Sequence, residues 1–356
     1  MATIEQATEA LQNWAISRNL YNSSFPIHPV NNENQALAAE NFRQFANSET
    51  LLKEKNIIGF AYNQSAKIIY VLLKKQLAKK DHEALPKFLT QEYRVEYIQA
   101  NNAQAQQPGN TASPYTLTAA GIYTCGSSIH PARHIGSGTL GCLVKNDNGE
   151  IFGISNNHVT GNCNFTLENE QILAPGHVDI HPGMIDPFTI GHHVRSAPFI
   201  SGVSANVDVS SNLDAAMFKI ADPSRVSSMQ GDKYDTPDEI EDLQAGYTVY
   251  KVGRTTGYTT GYVQGMLHGE WGCNYTAHGI GPQLAFFHNV FLVNDPQGTP
   301  FSLPGDSGSL VVADISGTLK AVGIVFAGDN QGNSYVLPIR NILQYFNVQL
   351  VRGHNI

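Results

Sequence analysis

Apolar and polar residues follow a helical period early in this chain and then change to shorter, alternating runs. Residues 3–19 place Ile4, Leu11 and Trp14 on one stripe, which is typical of an amphipathic helix. The first hundred residues predict a small α+β unit in the order helix, helix, strand, strand, helix and strand: 3–19, 32–55, 57–63, 67–74, 76–89 and 93–100. The fifth of these elements should break at Pro86. We therefore expect an N-terminal α+β domain over residues 1–100.

A polar stretch separates this unit from the rest of the chain. Residues 101–115 contain Gly, Pro and Ser without apolar periodicity and are expected to form a linker. From Thr116 onward short apolar runs alternate with Gly, Asn, Asp and Pro, which favours an all-β barrel or sandwich. The length fits two small barrels better than one. We expect the first barrel at 116–230, and the second at 243–356 with a closing helix over 339–346.

Composition and charge narrow the possible functions. The 356 residues are 42% hydrophobic and 15% charged, as expected of a packed globular protein. The net charge of -8 argues against a nucleic-acid partner, which needs a basic surface. No apolar run is long enough to span a membrane, and the N-terminus lacks the pattern of a secretory signal, so we expect a cytoplasmic protein without a membrane span. No cofactor is expected.

The segment Gly305-Asp306-Ser307-Gly308 carries the clearest chemical signal. Ser307 can act as a nucleophile once a base takes its proton. The glycines let the backbone turn tightly, so the amides of Gly305 and Ser307 could face a developing oxyanion. Because Gly, Asp and Ser are also ordinary turn residues, a simple hairpin turn is the alternative. A catalytic role requires a histidine and a carboxylate elsewhere.

Both partners can be found earlier in the chain. His158 follows a predicted hairpin strand, where a side chain can be held rigidly and still be reached. Asp214 lies where a loop becomes an apolar strand, which suits a buried carboxylate that orients an imidazole. Asp208 is an alternative carboxylate, although a polar run follows it. The first two residues would come from one barrel and Ser307 from the next, with the site in the cleft between them.

The order His158, Asp214, Ser307, with GDSG at the serine and GIV beyond it, resembles the chymotrypsin-like serine peptidases from about Thr116 to Phe346. The segments GSGTLGCLV, LDAAM and VGRTTGYTTG resemble the bacterial trypsin-like branch, here with an N-terminal extension domain. The resemblance implies a double β-barrel serine endopeptidase with a polypeptide substrate, which cleaves through an acyl-enzyme. It also places the specificity pocket at four positions: Phe301, Phe326, Ala327 and Gly328.

Departures from the family pattern affect two of these expectations. Phe301 is not the aspartate that selects Arg or Lys, so we expect a small or medium apolar side chain at the cleaved position, although Asp329 lies close by. The chain also lacks an obvious activation segment before Thr116 whose new N-terminus could pair with Asp306. Asp306 is therefore expected to be satisfied in another way.

The sequence is also compatible with other functions and sites. A peptidase-like module that binds peptides without cleaving them is the main alternative. The N-terminal domain could keep the enzyme latent until an activating protein or ligand binds, or could serve as a folding aid. A His-rich stretch is more consistent with a solvated loop than with a metal site: His177, Asp179, His181, Asp186, His192 and His193. A bridge between Cys142 and Cys163 is sterically conceivable, but thiols persist in a reducing cytosol.

Overall fold

The computed structural model of this protein describes the following residues: 2–22, 42–105, 118, 120–180, 188–202, 208–276, 282–295 and 297–356. The helices are α1 (Ile4–Ser17), α2 (Arg43–Ala46), α3 (Glu49–Lys55), α4 (Lys79–Ala84) and α5 (Ile339–Phe346). Short turns of other helix types lie at Asn157–Gly161, His177–Asp179 and Pro223–Arg225. The predicted helix over 32–55 is thus two short helices in its described part, and residues 32–41 lie outside the described residues.

The strands of the first two-thirds of the chain are β1 (Ile57–Asn63), β2 (Ile68–Leu73), β3 (Arg94–Gln99), β4 (Ala103–Gln104), β5 (Tyr123–Cys125), β6 (Ser128–Pro131), β7 (Gly138–Thr139), β8 (Cys142–Lys145), β9 (Ile151–Ser155), β10 (Gln171–Ala174), β11 (Phe188–Ser196), β12 (Ala216–Ile220), β13 (Val226–Gln230) and β14 (Tyr234–Asp235). The remaining strands are β15 (Thr248–Gly253), β16 (Gly257–Leu267), β17 (Trp271–Thr276), β18 (Pro282–Phe287), β19 (Phe291–Asn294), β20 (Leu310–Ile315), β21 (Thr318–Gly328), β22 (Ser334–Pro338) and β23 (Gln349–Leu350).

Six strands of the C-terminal half close into a barrel. The strands β15, β16, β19, β22, β21 and β20 pair in this order, and β20 pairs back with β15. Each strand of the ring thus pairs with two neighbours, although β21 continues to Gly328, beyond the end of its pairing with β20 at Ile324. Its interior is filled by branched and aromatic side chains such as Val249, Val263 and Phe301.

Seven strands that precede the barrel, together with β23 from the C-terminus, form a second, curled sheet in the order β23, β8, β9, β12, β11, β10, β6 and β7. Its hairpin β8–β9 is the one predicted around the Asn-Asp-Asn-Gly turn. One hydrophobic cluster is shared with the closed barrel, so that Ile154 and Phe326 belong to the same core. The predicted mainly β, double-barrel fold is confirmed, although β23 at the C-terminus returns to the first sheet.

The N-terminal residues form an α+β unit that is joined directly to the closed barrel. Helix α1 starts at a capping box between Thr3 and Gln6 and buries Ile4 and Leu11 against β1–β3. Helix α4 ends just before Pro86, as predicted. Strand β1 pairs with β16 through Ala61 and Leu267. The sheet of this unit is therefore continuous with the barrel sheet.

Candidate active site

His158 and Asp214 meet because the strands that precede and follow them are neighbours. Strand β9 ends at Ser155, and β12 begins at Ala216, and these two residues are partners in the antiparallel pair. His158 lies three residues beyond the end of β9, in the π-helical turn Asn157–Gly161, and Asp214 lies two residues before β12. The register of the pair therefore brings both side chains to the same end of the first sheet.

The carboxylate of Asp214 is bonded to both the ring and the main chain of His158. The His158 Nδ1 atom lies 2.6 Å from Asp214 Oδ2, and the His158 amide N–H donates to Asp214 Oδ1 at 3.0 Å. The Asp214 side chain is fully buried, and that of His158 is 10% exposed. Asn156 donates from Nδ2 to the Asp214 carbonyl at 2.6 Å. These bonds fix the imidazole plane and direct Nε2 away from the carboxylate.

Asp208, the alternative carboxylate, lies elsewhere. It is exposed, and its carboxylate accepts the amide N–H of Ser210 at 2.9 Å. A hydrogen bond from the Ser210 side chain, together with this one from the Ser210 amide, lowers the pKa of Asp208. The structure therefore brings Asp214, and not Asp208, to His158.

Ser307 lies on a turn held by the loop that carries β7. Gly305 and Gly308 have φ values of +101° and +97°, a region that favours glycine. The Thr139 amide donates to the Ser307 carbonyl, and the Thr139 hydroxyl donates to the Gly305 carbonyl, both at 2.9 Å. Within the described residues, the amides of Gly305 and Ser307 donate to no other protein group. The turn thus has two uncommitted N–H donors beside the serine.

The Ser307 hydroxyl is not bonded to His158. It donates to the Phe326 carbonyl at 3.5 Å, while His158 Nε2 is buried without a hydrogen-bond partner among the described residues. Hydrogen bonds between a nucleophile and its base are often loose when no substrate is bound.

Similarity to known proteins is found among solved structures. No protein-family model and no curated protein matches the chain. Among solved structures, the chain is similar to a Nocardiopsis protease (NAPase), at 16% identity over 64% of this chain and 97% of that one, with a TM-score of 0.41. It is also similar to Thermobifida fusca protease A, at 14% identity over 65% and 98% of the chains, with a TM-score of 0.41.

A third similar structure is a Cellulomonas bogoriensis chymotrypsin, at 14% identity over 65% of this chain and 98% of that one, with a TM-score of 0.39. The similar structures are chymotrypsin-like bacterial serine proteases, the family that the sequence motifs resemble. All three are matched over almost their whole length. The portion of this chain outside each match amounts to about a third.

Asp306 is satisfied by groups within the barrel. Its carboxylate accepts the amides of Thr255 at 2.8 Å, Thr256 at 3.1 Å and Leu303 at 2.9 Å, and the Thr256 hydroxyl at 2.7 Å. The Lys251 ammonium lies 3.4 Å away, and both side chains are fully buried. Burial lowers the pKa of Lys251, and the charge of Asp306 opposes that shift. The counter-ion of Asp306 is therefore the internal Lys251, and no new N-terminal amine is needed to balance its charge.

A second buried ion pair links the two barrels under the same turn. Arg254 donates from Nε to Asp179 at 2.7 Å and also contacts it through Nη2. Asp179 further accepts the hydroxyls of Ser128 at 2.5 Å and Ser137 at 2.7 Å. The Arg254 side chain packs against Gly305, where an added Cβ would lie 3.0 Å from Nη1. Lys251 did not stand out in the sequence, because a single cation between apolar residues resembles an exposed strand position. Arg254 was noted only as part of the motif VGRTTGYTTG, without a role.

The His-rich stretch is not a simple solvated loop where it is described. The Asp179 carboxylate is paired with Arg254. His193 is only 4% exposed, and this burial lowers the pKa of its imidazole. His181 and Asp186 lie outside the described residues. Within the described residues, no group of three or more potential metal ligands is found. Cys142 and Cys163 are free thiols, as are the other two cysteines.

The four predicted pocket residues are all buried, and three of them lie on β21 of the closed barrel. Phe301 is fully buried, and its carbonyl accepts the Thr259 hydroxyl at 2.7 Å. Phe326 is also fully buried and lies on β21, which continues through Ala327 to Gly328.

Of the helices in the described parts of the chain, none is long and apolar enough to cross a membrane.

Proposed function

We propose that this protein is a serine endopeptidase that cleaves peptide bonds through an acyl-enzyme. Ser307 attacks the peptide carbonyl, while His158 takes the hydroxyl proton and later delivers it to the leaving amine. Asp214 holds the imidazole and stabilises its charged form. The amides of Gly305 and Ser307 bind the oxyanion, and water then hydrolyses the ester. The observation that carries this proposal is the buried Asp214–His158 pair, 2.6 Å apart, at the junction of two β-barrels.

Labelling with a fluorophosphonate probe tests the activity. We expect covalent modification at Ser307 in the wild-type chain, and none in Ser307→Ala. His158→Ala should be labelled more slowly by several orders of magnitude, because the residue that removes the proton is missing. A folded wild-type sample that stays unlabelled under all activating conditions would refute the proposal.

We further propose that the enzyme is latent and that the segment 101–105 acts as the brake. Gln104 pairs antiparallel with Gly328, on the strand edge two residues beyond Phe326. Extended peptides commonly bind to such an edge by adding a strand, so β4 and a substrate would compete for it. The segment is anchored by the Asn101 amide, which donates to Asp329 at 2.9 Å, and by the Ala105 amide, which donates to Asn274 at 3.0 Å.

Loosening the anchor tests latency in the full chain. Ala105→Pro removes the amide that donates to Asn274, so we expect faster labelling of Ser307 than in the wild type. Ala105→Ser keeps the amide and is the matched control. Equal labelling of the two variants would argue that β4 is no brake and that the N-terminal unit serves folding instead. An activating protein or ligand at this unit would act in the same direction as Ala105→Pro.

A peptide-binding module without turnover is the second candidate. It is favoured by one observation: Ser307 donates to Phe326 and not to His158. Peptide binding that survives in Ser307→Ala, together with a wild type that is never labelled, would support it.

For the specificity of the endopeptidase, we propose a small or medium apolar residue at the cleaved position, because Phe301 would close the base of the pocket. Rapid cleavage only after Arg or Lys in a peptide library would refute this preference.

A further inference from the structure

The buried carboxylate of Asp214 has a hydrogen-bond donor that belongs to a different part of the chain from His158. The hydroxyl of Tyr275 donates to Asp214 Oδ2 at 3.0 Å. Within the described residues, only three donors reach this carboxylate, and the other two are the ring and the amide of His158. Tyr275 is therefore the one donor that holds Asp214 independently of the histidine.

The Tyr275 ring is buried and packs against other aromatic rings. It is 1% exposed, its centroid lies 4.8 Å from that of Phe199 in an edge-to-face contact, and it lies 5.6 Å from the His158 ring. Burial, with the charge of Asp214 beside it, raises the pKa of Tyr275 well above its usual range. The phenol therefore keeps its proton and can only act as a donor to the carboxylate.

We propose that Tyr275 is a positioning residue of the triad, which holds the Asp214 carboxylate in the plane that His158 requires. This inference rests on the proposed function. The phenol touches neither substrate nor the reacting atoms, so it acts through Asp214. Without it, Oδ2 would keep a single donor and the carboxylate could rotate away from the imidazole.

The position of Tyr275 also connects the triad with the segment proposed as a brake. Tyr275 lies on β17, whose residues Cys273 and Asn274 pair in parallel with Ala103 and Gln104 of β4. The donor to Asp214 is thus only one residue from the strand contact that holds β4. Displacement of β4 would change the support of β17, and the orientation of Asp214 would follow.

Tyr275→Phe tests the inference in the full chain, since it retains the ring and removes only the hydroxyl. We expect the maximal rate of fluorophosphonate labelling to fall about 10- to 100-fold, the effect of one lost hydrogen bond to a charged group. The probe concentration that gives half the maximal rate should not change, because the ring does not meet the probe. Tyr123→Phe is the matched control, since it removes another buried phenol bond, from Tyr123 to the Ser128 carbonyl.

A spectroscopic measurement separates failure of this inference from failure of the proposed function. The low-field proton resonance of His158 Nδ1 reports the bond to Asp214 whether or not Ser307 reacts. We expect it to shift or broaden in Tyr275→Phe and to stay in place in Tyr123→Phe. In the wild type, a nuclear Overhauser effect should join it to the Tyr275 hydroxyl proton, which tests the contact even if the variant does not fold. An unchanged resonance, or the absence of that effect, would overturn the inference, whereas an unlabelled wild type would overturn only the activity.

Discussion

The substitution Asp306→Asn tests whether the turn that carries Ser307 is held by a buried charge. In the wild type the Lys251 ammonium is fully buried 3.4 Å from the Asp306 carboxylate. An asparagine would leave this ammonium without an anion. It would also direct an amide N–H₂ group toward the Leu303 amide or the Thr256 hydroxyl, both of which now donate to the carboxylate. Two buried donors would then face each other.

The expected loss of stability can be bounded from the chemistry of the lysine. Removing one partner of a buried ion pair typically costs about 3–5 kcal/mol. Lys251 could also escape by losing its proton. From its ordinary pKa of 10.5, this sets a ceiling of about 5 kcal/mol at pH 7. The free energy of unfolding of the variant should therefore be about 3–5 kcal/mol lower than that of the wild type.

The pH dependence of this loss has a definite sign. Without Asp306, burial lowers the pKa of Lys251 further below its ordinary value. The unfolded chain then binds more protons than the folded chain between these two pKa values, so the stability of the variant rises with pH. The difference in the free energy of unfolding between the wild type and Asp306→Asn should therefore become smaller from pH 7 toward pH 10. Urea-induced unfolding followed by tryptophan fluorescence measures both quantities.

An exposed ion pair offers the matched control. Lys219 and Glu150 lie 2.5 Å apart, and their side chains are 54% and 40% exposed. Glu150→Gln should therefore cost at most about 1 kcal/mol. Labelling of Ser307 should slow in Asp306→Asn but not in Glu150→Gln, because only the former loosens the turn that carries Ser307. If both variants lose the same stability, the buried pair does not hold this turn.

Two further substitutions follow from the same region. Gly308→Ala would bring Cβ within 2.3 Å of the Thr139 carbonyl oxygen at a φ of +97°, so we expect at least about 3 kcal/mol of destabilisation and no labelling. Gly317→Ala, at a φ of +85° with no atom within 4 Å, should cost only about 1 kcal/mol in the same urea titration; equal losses would contradict the packing argument. Arg254→Met leaves the Asp179 carboxylate buried without its cation and should cost about 3–5 kcal/mol, and a loss below about 1 kcal/mol would show that Ser128 and Ser137 suffice.

Much of the architecture was predictable from the sequence, since it follows from short-range pattern. Alternating apolar residues around an Asn-Asp-Asn-Gly turn predict the β8–β9 hairpin, and the last helix was predicted at 339–346, the bounds of α5. Pro86 stops α4 because it offers no amide and clashes with the preceding turn. The chemistry of His158, Asp214 and Ser307 was predicted from residue type, order and flanking pattern, and their catalytic roles stay predictions.

Only the tertiary structure decided which charges and hydroxyls surround these residues. The Tyr275 hydroxyl reaches Asp214 across 61 positions of sequence, and Arg254 reaches Asp179 across 75. A local pattern cannot indicate such pairs, because strand registers and the closure of the barrel bring them together. The same holds for β4, a two-residue strand whose place is set by Gly328 and Cys273 on two different strands. Secondary structure depends on neighbours along the chain, whereas the environment of a buried polar group depends on neighbours in space.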